Sequence, residues 1–217
     1  MILNPYNILL IVLKGLFVGI VVSAPMGPVG VLTVRRTLNK GRRYGLVTGL
    51  GAAVSDMTYA LVTALFMSVV LSLFAREPLV RYFKLGGVAM LFLFGLYSFL
   101  ATPRALEHPS KGLGTLSHNM LTGFLVAVTN PLIILLYIAL FDSVDFIKPE
   151  YVFEYVFGFA AIAVGACLWW FCLTGAIDKV RARFDMNRIA LLNKAIGLLV
   201  MLAAIAGLAH TLYYLKD

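Results

Sequence analysis

Charge is scarce in this 217-residue sequence. Asp, Glu, Lys and Arg make up only 13% of it, where a soluble domain carries about 25%. Hydrophobic residues make up 61%, and the mean hydropathy is +0.94. That balance excludes a water-soluble fold and leaves no stretch for a separate soluble domain. About six spans of ~20 apolar residues, joined by short loops, fill the length. The predicted fold is an all-α membrane protein with six transmembrane helices, one integral domain over residues 1–217.

Cysteine is scarce as well. Cys167 and Cys172 share one apolar segment. Five residues apart on a helix, they point about 140° from each other, so they are read as small packing residues rather than a pair. Residues 1–13 lack a basic start and a small-residue cleavage site, so no removable signal peptide is expected. Lipidation motifs are absent. The formal net charge of +8 comes from basic residues in the loops, where they set topology. No nucleic-acid partner is expected.

Against this background one stretch stands out. Ser23-Ala24-Pro25-Met26-Gly27-Pro28-Val29-Gly30 interrupts an apolar run over 15–34. Pro25 and Pro28 each lack a backbone N–H, and each ring clashes with the preceding turn. Two half-helices are expected, the second starting at Pro28 with Gly27 as its N-cap. A break at membrane depth exposes backbone polar groups and is tolerated only inside protein or beside a wet cavity. The stretch is therefore a candidate binding site. Residues 1–13 are read as an interfacial lead-in or the early turn of the first span; with the span drawn over 14–35, the break falls near the bilayer midplane.

The second span covers 44–74. Gly45, Gly49, Ala52, Asp56 and Thr63 fall on one helix face, and Gly45-x-x-x-Gly49 permits close helix approach. Asp56 is the one acidic residue deep within a span. An ionisable group there is costly and marks function by default. Arg76-Glu77-Pro78 closes a short loop before the third span, 82–101, where Tyr97 and Ser98 are read as packing or interface residues. The polar connector 102–117 separates a first half, 1–101, from a second, 118–217. His108 and His118 have no helical metal spacing.

The fourth span, 118–141, repeats the opening feature: Thr129-Asn130-Pro131 sits at its centre. Asn130 suits an N-cap and Pro131 the first helical position. Interrupted spans at matching positions of two halves are the best sequence pointer to a transporter site. The fifth span, 155–177, carries Trp169 and Trp170, read mainly as packing residues. The sixth covers 189–212.

Loops one, three and five hold eleven Lys and Arg, against three in loops two and four. The positive-inside rule then places the odd loops in the cytoplasm and both termini outside. Three spans per half make the halves an inverted repeat. The half-helix N-termini at Pro28 and Pro131 each carry roughly half a positive charge, which suits a carboxylate. Carbonyls at 22–24 and 128–129 suit an ammonium group. Such a site fits an amino acid. The substrate-binding set is Ser23, Pro25, Gly27, Pro28, Asp56, Asn130 and Pro131, with Asp56 also the candidate proton-coupling group.

The same residues carry a resemblance. Ser23-Ala24-Pro25-Met26-Gly27-Pro28-Val29, then Arg35-Arg36-x-x-x-Lys40-Gly41-Arg42-Arg43-x-Gly45, Gly49-x-Gly51 and Asp56 resemble the LysE/RhtB amino-acid exporter family. Gly123-Phe124-Leu125 and Asn130-Pro131 continue it. The resemblance implies secondary-active efflux of amino acids or related solutes across a bacterial inner membrane, with no enzymatic activity. No cofactor or metal is implied beyond H⁺ or Na⁺ as coupling ion. The partners expected are a small-molecule substrate and lipid, and the sequence leaves open whether the chain forms a homo-oligomer. Family patterns often read Pro-Gly-Pro; here Met26 separates Pro25 from Gly27. The alternative is an ion or metal-ion efflux protein on the same six-span plan, which usually needs several intramembrane ligands where this sequence offers Asp56. A membrane thiol oxidoreductase would need cysteines in the first and fourth spans, and there are none.

Overall fold

The structure is a computed structural model that describes residues 5–25, 27–73, 77–100, 114–130, 132–146, 155–180 and 187–213. Among these there are eight helices and no strand. In chain order they are α1 (Pro5–Ser23), α2 (Pro28–Lys40), α3 (Arg42–Leu73), α4 (Glu77–Leu100), α5 (Leu116–Val128), α6 (Leu132–Ser143), α7 (Tyr155–Lys179) and α8 (Asn187–Tyr213). Three of them hold stretches long and apolar enough to cross a membrane unaided: Pro5–Ser23, Arg42–Met67 and Tyr155–Lys179.

The distribution of side chains is that of a helical membrane protein. On α1 the bulky Leu13, Phe17 and Ile20 are exposed while Gly15, Gly19 and Ser23 are buried. On α3 the exposed set includes Leu61, Leu65 and Phe66, and the buried set includes Thr48, Ser55, Asp56 and Thr63. Hydrocarbon outside and small or polar groups inside suit helices packed in lipid, where close backbone approach and polar contacts replace the hydrophobic drive.

One sequence expectation is narrowed and another needs correction. Residues 5–13, read as an interfacial lead-in or the early turn of the first span, are the first turns of α1, which starts at Pro5. Proline is at home in a first turn, because its missing N–H would have no helical partner there. Glu77 and Pro78, read as loop, likewise open α4, for the same reason. The connector at 102–113, Pro131, His108 and Arg76 lie outside the described residues.

Glycines set the closest helix crossings. A side chain at Gly19 would collide with the Ile162 carbonyl of α7, and one at Gly165 with the Leu16 carbonyl and Ile20 N–H of α1. A side chain at Gly123 of α5 would collide with the Thr48 carbonyl of α3, and one at Gly51 with the Met120 carbonyl and Phe124 N–H. Gly95 of α4 and Gly197 of α8 abut each other's carbonyls. These three pairs, α1 with α7, α3 with α5 and α4 with α8, are the most extensive contacts of the fold.

Gly41 makes the hairpin between α2 and α3. Its φ of +100° is a region that favours glycine. Its N–H donates to the Thr37 carbonyl, closing α2, and its carbonyl accepts from Tyr44, opening α3. Two apolar clusters result. One joins α1, the second half of α3 and α6 through Val22, Ala24, Ala60, Ile133 and Tyr137. The other joins α2, the first half of α3, α5 and α7 through Val34, Ala52, Ala127 and Trp170. Trp169 packs against both.

Candidate functional site

The first break is built as its prolines dictate. α1 stops at Ser23 and α2 starts at Pro28. Pro25 and Pro28 withdraw the N–H groups that would have bonded the carbonyls of Val21 and Ala24. The Gly27 N–H turns back onto the Pro25 carbonyl at 2.9 Å. Gly27 then caps α2 in an extended conformation, with Pro28 in the first turn and no side-chain acceptor for the helix's leading N–H groups.

The second break is closed more fully. Thr129 N–H donates to the Leu125 carbonyl, and Asn130 N–H to that of Ala127. The Thr129 hydroxyl donates to the Val126 carbonyl at 3.0 Å. The Val128 carbonyl accepts the hydroxyl of Tyr59 from α3. This corrects the expectation that the Val128 carbonyl stands open for an ammonium group. Asn130 is half-buried, and its carbonyl accepts from the Ile133 N–H at 3.3 Å, as an N-cap residue's should.

A single turn of α3 holds both breaks. Asp56 accepts the Ser23 hydroxyl at 2.8 Å from the end of α1. Tyr59, three residues on, reaches the end of α5. Ser23 and Asp56 are each only 4% exposed, so the bond joins a broken helix to a buried carboxylate. Among the described residues no cation pairs with Asp56, and its second carboxylate oxygen accepts no hydrogen bond. Of the predicted set, Ser23 and Asp56 are thus brought together. Pro25 and Gly27 are half-buried beside them, while Pro28 faces outward.

Two neighbours were missed from sequence, as was one cation that turns into the core elsewhere. Tyr59 follows Asp56 by three residues, a spacing that places it on the adjoining face. Tyr137 is the one hydroxyl-bearing residue in the apolar core of α6. It is fully buried, and its hydroxyl has no partner among the described residues. Arg36, read as part of a topology signal, also turns inward. Its guanidinium donates to the Thr48 hydroxyl at 2.8 Å and to the Asn119 carbonyl at 2.9 Å, tying α2, α3 and α5 together.

This broken-helix core lies within residues 20–210, which match the family described as LysE type translocator. The chain belongs to that family. LysE type translocators are transporters rather than enzymes. A Bacillus subtilis (strain 168) protein named "Putative amino acid efflux protein YcgF" is 28% identical over 174 residues, covering 75% of this chain and 78% of its own. No solved structure matches the chain.

Proposed function

We propose that this LysE type translocator exports amino acids or related small solutes across the inner membrane, driven by the proton gradient. Its site lies between the two breaks, near the midplane, with Asp56 as the group that meets the solute's ammonium or the coupling proton. The observation that carries this reading is the buried Ser23–Asp56 hydrogen bond at the end of a broken helix. An intramembrane carboxylate with no cationic partner among the described residues is costly and needs a use. The relative named for amino acid efflux supports the solute class.

In this reading the chain has six spans, α1 with α2 and α5 with α6 each forming one. The halves are inverted repeats and both termini lie outside. The glycine crossings support the repeat. A shift of 104 residues takes Leu16, Gly19 and Ile20 of the α1 crossing to Met120, Gly123 and Phe124 of the α5 crossing. The same shift takes Pro28, first in α2, to Leu132, first in α6. A shift of 114 takes Thr48 and Gly51 of α3 to Ile162 and Gly165 of α7. The Gly95–Gly197 contact is reciprocal, each glycine also abutting the N–H four residues beyond the other, at Met201 and Phe99. Reciprocity of that kind is what a two-fold axis between α4 and α8 produces.

The test is efflux from proteoliposomes loaded with labelled amino acids, with and without a pH gradient. Wild type is expected to release one or a few amino acids in a gradient-dependent manner, and Asp56→Asn to abolish that release. Well-folded wild type that releases none would refute the reading and direct the same vesicles to metal cations and simple anions.

A further inference from the structure

We propose that Tyr137 is a substrate-binding residue whose hydroxyl, together with the free oxygen of Asp56, holds the ammonium group of the transported solute. This rests on the reading that an amine-bearing solute occupies the site at Asp56.

The hydroxyl has no role in packing. The Tyr137 ring meets Phe141 edge-on at 5.4 Å, and Phe141 stacks on Phe146 at 4.6 Å. A phenylalanine at 137 would keep every one of these contacts. The tyrosine nonetheless places a polar atom at 0% exposure with no hydrogen-bond partner among the described residues. Buried hydroxyls are almost always satisfied, and an orphan needs a reason.

Its surroundings supply one. Tyr137 belongs to the cluster that contains Val22 and Ala24 from the first break and Ala60 from α3, one turn beyond Asp56. α6 packs against α3 and α1, whose buried faces carry Asp56 and Ser23. The Ser23 hydroxyl already donates to one Asp56 oxygen, leaving the other as an acceptor. An ammonium group has three N–H donors. Asp56 takes one and the Tyr137 oxygen a second. Carbonyls at the end of α1, deprived of donors by Pro25 and Pro28, are suited to the third. A carboxylate placed here would face Asp56 with like charge.

The repeat makes the site single. The 114-residue shift takes Asp56 to Trp170, a buried indole packed against Gly49. The 104-residue shift takes Tyr137 to Thr33, another buried hydroxyl without a partner. Asp56 of the first half therefore meets Tyr137 of the second, whereas the counterpart arrangement has Trp170 of the second half and Thr33 of the first, with an indole in the carboxylate's place.

The experiment uses the full chain in proteoliposomes. A mixture of labelled amino acids first identifies those that wild type releases. Half-saturation is then measured for one of these and for its N-trimethyl analogue, in wild type and in Tyr137→Phe. For the amino acid, Tyr137→Phe is expected to raise half-saturation on the order of tenfold. Its maximal rate should stay within about twofold and its unfolding temperature should be unchanged. For the trimethyl analogue, which has no N–H to offer, the variant and wild type should differ little, which isolates the hydroxyl–ammonium pairing. Equal half-saturation in the two proteins, or equal weakening for both solutes, would overturn the role of Tyr137 while leaving amino-acid export intact. A wild type that releases no amino acid would overturn both. If Tyr137→Phe does not fold, the hydroxyl is structural and the inference fails.

Discussion

Asp56 accepts one hydrogen bond where a carboxylate has room for about four. Ser23 is therefore its sole donor among the described residues, and hydrogen bonds to charged groups contribute about 1.5–3 kcal/mol. Ser23→Ala is expected to slow efflux at limiting solute by about tenfold while the protein remains monodisperse, measured by proteoliposome transport beside size-exclusion chromatography. A fully active Ser23→Ala protein would remove Ser23 from the site. Asp56 itself was legible in the sequence, because a lone carboxylate in a long apolar run is too costly to be kept without a use. Ser23 was legible only as part of the broken stretch. Tyr59 and Tyr137 were not, because a tyrosine in an apolar helix is usually an interface or packing residue. What marks them is a partner on another helix, or the lack of one.

At the scale of elements, the breaks were readable because proline acts on its own backbone. Pro25, Pro28 and Gly27 fix the end of α1 and the start of α2 without help from any neighbour. The crossings depend on which helix arrives opposite, so their glycines looked alike in sequence. Gly51 and Gly86 illustrate the difference. Gly51 lies against the α5 backbone, whereas a side chain at Gly86 would meet nothing within 4 Å. Overpacking a well-fitted contact costs about 1–3 kcal/mol, and a backbone neighbour yields less than a side chain would. Gly51→Leu is expected to lose folded protein in detergent. Gly86→Ala should be neutral or raise the unfolding temperature, since Ala is favoured over Gly in a helix by about 1 kcal/mol. Thermal unfolding of the two variants side by side checks this.

For the molecule as a whole, composition alone was enough to say that lipid is the solvent, because 13% charged residues cannot cover a soluble surface. The start of α4 was not legible, because proline reads as a stop until its place in a first turn is seen. The proposed topology is tested by labelling. In a background lacking Cys167 and Cys172, a cysteine at the exposed Arg43 is expected to react only from the cytoplasmic side. One at the exposed Ser143 should react only from outside. The opposite pattern would invert the orientation, and with it the assignment of which half opens to which side.

The chain has two tryptophans, and they are neighbours. Trp170 lies against Gly49, and Trp169 touches both apolar clusters at their boundary. All indole emission therefore originates at one depth of the protein, where its two halves adjoin. Ultraviolet fluorescence of the unlabelled chain is consequently a local signal, and any solute or proton that rearranges this core will register in its intensity or colour.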